Sequence, residues 1–173
     1  TTTNTGTITA GTGNLDFNGT YAGTGGTLTL DANTATFAST VTFGTLSVTS
    51  GTVNLDGLAA QSLTTNGQSF HHLTLSGVDG SNTPHAITIT GALTIGGDLA
   101  VNQYHTLALD TTLGVTGTTT NSGTIVTGSS TMAFTGDVTN SGSITAGVAL
   151  ASFANTTTNT GTITAGTGNL DFN

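Results

Sequence analysis

Apolar and polar residues alternate along this chain in short bursts, and the bursts recur. Ile8 stands between Thr7 and Thr9, Leu28 between Thr27 and Thr29, Ile144 between Ser143 and Thr145, and Ile163 between Thr162 and Thr164. An apolar residue at every second position marks a strand with one buried face. No stretch carries the 3.6-residue apolar period of an amphipathic helix. The bursts end at Gly and Asn, residues that punctuate strands with turns. The pattern predicts an all-β chain.

The bursts also keep a longer period. Residues 116–134, 135–153 and 154–172 align with a spacing of 19 residues, a scale that signals stacked repeats. Ile8, Ile125, Ile144 and Ile163 read as one column, Phe17, Phe134, Phe153 and Phe172 as a second, and Asn4, Asn121, Asn140 and Asn159 as a third. Each Asn precedes a Gly by two residues, so the Asn-Ser/Thr-Gly triplet reads as a corner where Asn and Gly take positive φ. A second corner falls at Gly128, Gly147 and Gly166, and a third follows each Phe. The chain is thus predicted to form a right-handed parallel β-helix, its hand taken from the usual crossover rule. It has three short strands per coil, eight to nine coils and uncapped ends, as one continuous segment over residues 1–173. Residues 77–85 break the pattern and read as an enlarged corner or protruding loop. The Asn column is expected to form a ladder of amides, and the Ile and Phe columns to fill the lumen.

The sequence of residues 1–18 returns unchanged at residues 156–173. The offset of 155 residues reads as close to a whole number of coils, and residues 1–17 as a coil repeated at 156–172. The chain then reads as one period, plus one extra coil, of a tandem array. Its expected partners are copies of itself, joined covalently or stacked end to end.

Composition narrows the chemistry. The 173 residues include no Lys, no Arg and no Cys, with eight Asp, four His and a formal net charge of −8. Phosphate contacts to nucleic acid need a basic patch, which this chain cannot make. Disulfides and thiol chemistry are excluded, and trypsin has no site to cut. No apolar run approaches the ~18 residues of a membrane-crossing helix, so no membrane insertion is expected.

The words "TNTGTITAG" and "VTNSGSITAG" resemble the coil repeats of filamentous haemagglutinin-type surface proteins. "QSLTTNGQSFHHLTLSG" and "ALTIGGDLAVNQYHTLALD" are similar to repeats of very large bacterial surface proteins. The resemblance implies extracellular placement at a cell surface, a stalk or fibre role, and no catalytic residues.

Candidate sites are few. His85 and His105 lie 20 residues apart, about one coil, and so stand as candidates for a shared metal; exposed surface is the competing expectation. The Asp residues are scattered singly, which suits neither a paired-carboxylate glycosidase nor the glycine-rich calcium nonapeptide. No cofactor is expected, with calcium at isolated Asp the one alternative, and no enzymatic activity. Outward Thr7, Thr9, Thr27, Thr29, Thr88, Thr90, Thr162 and Thr164 form Thr-x-Thr pairs. Such an array resembles the ice-binding face of some β-solenoid antifreeze proteins and stands as a candidate ice- or glycan-binding face. The remaining expectation is a fibre whose function resides in length, stiffness and protease resistance.

Overall fold

The computed structural model describes residues 1–77 and 83–173, so the core of the predicted enlarged corner, residues 78–82, lies outside the described residues. All regular structure among the described residues is β, in 26 short strands that pair only in parallel. Successive strands visit three faces in strict rotation, giving a β-solenoid of about nine coils with three strands in each complete coil.

The first face carries Thr2–Thr3, Tyr21–Ala22, Val41–Thr42, Gln61–Thr64, His85–Thr90, His105–Leu109, Thr124–Thr127, Ser143–Thr145 and Thr162–Thr164 in one nine-stranded sheet. The third face carries Leu15–Phe17, Thr34–Phe37, Thr52–Leu55, His72–Leu75, Leu99–Val101, Thr119–Asn121, Val138–Asn140 and Thr157–Asn159 in one eight-stranded sheet. The second face is divided. Thr7–Thr9, Thr27–Leu30 and Thr45–Val48 form a three-stranded sheet, and Ser69–Phe70, Leu93–Ile95, Leu113–Val115, Met132–Phe134, Ala151–Phe153 and Leu170–Phe172 a six-stranded one. At the break the Gln68 side chain stands in for a rung, its Oε1 accepting from Leu46 N at 2.9 Å.

Alternation decides what enters the lumen. Ile87, Ile89, Leu107, Leu109, Ile125 and Ile144 point inward from the first face, and Leu93, Ile95, Leu113, Val115 and Phe134 from the second. Burying an aliphatic or phenyl side chain of this size contributes about 1.5–3 kcal/mol, so the stability is distributed coil by coil. Coil length is not uniform. Register partners on the first face are 19 residues apart at Thr2 and Tyr21, 22 at Val41 and Leu63, 26 at Leu63 and Ile89, and 19 again at Ile144 and Ile163.

The corners differ from expectation in how they turn. The Asn-Ser/Thr-Gly corners take no positive φ; among the described residues Asn66, Tyr104, Gly11, Gly67, Gly91 and Gly166 do. Gly is needed at Gly123, Gly142 and Gly161 because coils approach closely there. A Cβ on Gly142 would overlap the Gly123 carbonyl oxygen, and one on Gly161 the Gly142 carbonyl oxygen. Gly142→Ala is therefore expected to destabilise by about 1–3 kcal/mol, the usual cost of forced overpacking. Gly114→Ala, where nothing lies within 4 Å of the new methyl, is expected to be near neutral. Urea midpoints of the two variants check the contrast.

Candidate functional site

Three consecutive coils are joined through the lumen by side chains of one kind. Asn121 pairs in register with Asn140, and Asn140 with Asn159, at the ends of their third-face strands. Asn121 Nδ2 donates to Asn140 Oδ1 at 2.7 Å, and Asn140 Nδ2 donates to Asn159 Oδ1 at 2.7 Å. The same amides reach the next coil's backbone, Asn121 Nδ2 to Ser143 O at 3.0 Å and Asn140 Nδ2 to Thr162 O at 3.1 Å. The amides run one way, each donating toward the C-terminal end. On the second face Phe134, Phe153 and Phe172 stack with centroids 5.2 and 4.7 Å apart. Ile125, Ile144 and Ile163 form the matching column on the first face.

Asn4, Ile8 and Phe17 do not belong to these columns, which corrects the single-column expectation. Ile8 lies on the second face, whereas Ile125, Ile144 and Ile163 lie on the first. Phe17 lies on the third face, and Phe134, Phe153 and Phe172 on the second. Asn4 follows a first-face strand, and Asn121, Asn140 and Asn159 end third-face strands. The physical reason is the accumulated length of the long coils. Residues 155 apart are 23 strands apart, two strands beyond seven turns rather than a whole number of turns.

Asn4 instead closes its own network. Its Nδ2 donates to the Tyr21 hydroxyl and to Thr27 O, both at 3.0 Å, and its Oδ1 accepts from Gly6 N at 3.1 Å. Phe17, Tyr21, Phe37, Phe43 and Phe70 form an aromatic cluster running up this end of the lumen. Buried Gln61 also escaped the sequence reading. It knits a corner by accepting from Gly57 N at 3.0 Å and donating to Phe37 O at 2.8 Å and Ser39 O at 3.0 Å.

Two of the four histidines are buried. His85 and His105 are register partners on the first face, 5% and 1% exposed, with ring centroids 5.9 Å apart. They share inward parity with Ile87 and Leu107, and His105 Nδ1 donates to Gln103 O at 3.2 Å. Two imidazoles are brought together, but among the described residues no group of three or more His, Cys, Asp or Glu is assembled around them.

The Thr-x-Thr positions divide between two faces, correcting the single binding face. Thr7, Thr27 and Thr45 line up on the second face, as do Thr9, Thr29 and Ser47. Thr88, Thr90, Thr162 and Thr164 are on the first face. There Ala108 and Val126 interrupt the column between Thr88 and Thr164. A shallow hollow of about 170 Å³ at this place is lined by Thr88, Ala108, Asp110 and Val126.

One carboxylate senses its surroundings. Burial, then the charge of Asp16, pushes the Asp56 carboxyl above its ordinary value of 3.8, partly opposed by a backbone hydrogen bond, and Asp56 Oδ1 is buried without a hydrogen-bond partner. A raised folded-state value means that the fold holds this proton more tightly than the unfolded chain does. Its favourable contribution is present below pH 3.8 and is lost as pH rises through the raised value. Asp56→Asn is accordingly expected to raise the urea midpoint modestly at pH 7 and to leave it unchanged at pH 3. A lower midpoint at pH 7 would contradict the assignment.

No protein-family model, curated protein or solved structure matches the chain.

Proposed function

We propose that the chain is a structural segment of a long extracellular surface fibre or adhesin stalk, lengthened by repetition of its coils. The observation that carries this reading is the pair of like-on-like ladders, amide on amide and phenyl on phenyl, through three consecutive coils. Such ladders reward each added coil with the same contacts as the one before, so length costs no new design. The lack of any Lys or Arg removes every trypsin site, which suits exposure outside a cell. Its partners are copies of itself, with neither metal nor cofactor and no catalytic role.

Antibodies raised against the folded chain test the placement. They should decorate filaments on intact cells of the source organism; labelling that appears only after lysis would overturn the extracellular reading. A second reading draws on the six outward hydroxyls of Thr7, Thr9, Thr27, Thr29, Thr45 and Ser47, which form a compact patch on three rungs. That patch is the candidate surface for ice or a glycan, and thermal hysteresis and a glycan array measure it directly.

A further inference from the structure

The recurring eighteen residues are seen in two halves of one environment. At residues 156–173 the structure shows what lies on the N-terminal side of this coil: Asn140 donates to Asn159, Ile144 pairs with Ile163, and Phe153 stacks on Phe172. At residues 1–18 it shows what lies on the C-terminal side. Asn4 donates to Tyr21 and Thr27, Ile8 pairs with Leu28, and Phe17 stacks on Phe37 at 4.9 Å. The two sets of contacts use opposite edges of the same coil and do not compete. Asn159 Nδ2, which here reaches only Gly161 O at 3.3 Å, has open the very donations that Asn4 makes. Its Oδ1 takes the Asn140 donation, and an amide oxygen has two lone pairs for that and a backbone N–H.

From this complementarity we propose that the chain repeats with a 155-residue period through the shared coil, and that each repeat turns the fibre's faces by one third of a turn. The proposal rests on the fibre reading above and specifies how its copies join. The partner is a second copy of this chain, whose Tyr21–Ala22 strand lies on Thr157–Asn159, its Thr27–Leu30 strand on Thr162–Thr164, and its Thr34–Phe37 strand on Leu170–Phe172. The turn follows from strand phase. Thr7–Thr9 is a second-face strand and its repeat Thr162–Thr164 a first-face strand, so what one copy presents on its second face the next presents on its first. Keeping the faces aligned would require one strand of the third face to be looped out, leaving a gap in that sheet. Three copies restore the starting orientation after 23 turns, three times the 23-strand spacing. The hydroxyl patch and the hollow beside Asp110 then occur on all three sides of the fibre, available to neighbours in every lateral direction.

The test adds a second unit to the intact chain: residues 1–155 joined to residues 1–173. The chain has no Cys, so two engineered cysteines can carry spin labels cleanly. One replaces Thr124 of the first unit and the other Thr45 of the second unit. In the turned arrangement they share one outward column, four rungs apart, through Ser143 of the first unit and Thr7 and Thr27 of the second. Their distance should then be narrow and roughly 19 Å, four spacings of ~4.8 Å. With the faces aligned, Thr45 stands on the second face and Thr124 on the first, which adds a lateral displacement. A distance well above ~19 Å, or a broad one, overturns the turn. Small-angle scattering of the cysteine-free two-unit chain separates this from the fibre reading itself. One rod of roughly 78 Å, about 16 coils at ~4.8 Å each, upholds the fibre; two jointed bodies sink it along with the turn.

Discussion

Phe153→Ala is expected to lower stability by about 3–5 kcal/mol, the range for deleting a buried phenyl ring and leaving its cavity. Phe153 is 1% exposed and held between two rings, Phe134 at 5.2 Å and Phe172 at 4.7 Å. Both neighbours are fixed by their own strands in register with it, so neither can slide a full rung to fill the hole. Phe172→Ala supplies the comparison. Its ring is 55% exposed and touches the stack on one side, so its loss should cost about half as much or less. Urea denaturation followed by circular dichroism measures both. Equal effects would mean that the stack contributes apolar area alone, without the enclosure by adjacent coils.

Asn140→Ala has the next largest expected effect, about 2–4 kcal/mol, because it removes three hydrogen bonds between coils, one buried and two half-buried, at ~0.5–1.5 kcal/mol each. Asn121 Nδ2 loses its 2.7 Å acceptor, Asn159 Oδ1 its 2.7 Å donor, and Thr162 O its 3.1 Å donor. The loss is shared across three coils, so amide exchange should quicken in Thr119–Asn121 and Thr157–Asn159 as well as in Val138–Asn140. Asn140→Gln keeps the amide and lengthens its arm. It is expected to restore the hydrogen bonding only by overpacking a site that is 0% exposed. If Asn140→Ala alters exchange in its own strand only, the amides act separately and the ladder is not a mechanical unit.

The fold was legible because its signals are local and periodic. The Asn-Ser-Gly words at residues 121–123 and 140–142 mark corners at a fixed spacing, and Ile144 between Ser143 and Thr145 gives parity within a strand. Face assignment is a cumulative quantity instead. It depends on every coil length before it, and the 22- and 26-residue spacings after Val41 and Leu63 shift the phase without disturbing any local word. Identical sequence at residues 1–18 and 156–173 therefore predicts the shape of the coil and is silent on where it points. The same limit split the Thr-x-Thr positions between two faces.

For His85 and His105, register partners as their spacing suggests, the burial has a different origin. Their chemistry suggested surface, but their place two residues before Ile87 and Leu107 fixes them inward by strand parity, and that signal was present in the sequence. Gln61 and Gln68 left no such trace. Each repairs a single irregular corner or a broken rung, so neither recurs, and periodicity cannot find a residue used once.

A fibre of this kind requires equal stacking of coils along one axis. Spin-label distances on the first face test that most directly. Ser62, Thr88, Ala108, Val126, Thr145 and Thr164 occupy one outward column, each the register partner of the next. With one label on a cysteine at position 62, a second at 126, 145 or 164 should give distances that rise by ~4.8 Å per rung, from roughly 14 Å to roughly 24 Å. A narrow, linear series is the expected result. Distances that fail to increase from Val126 to Thr164, or that broaden without order, would contradict the solenoid and the fibre built on it.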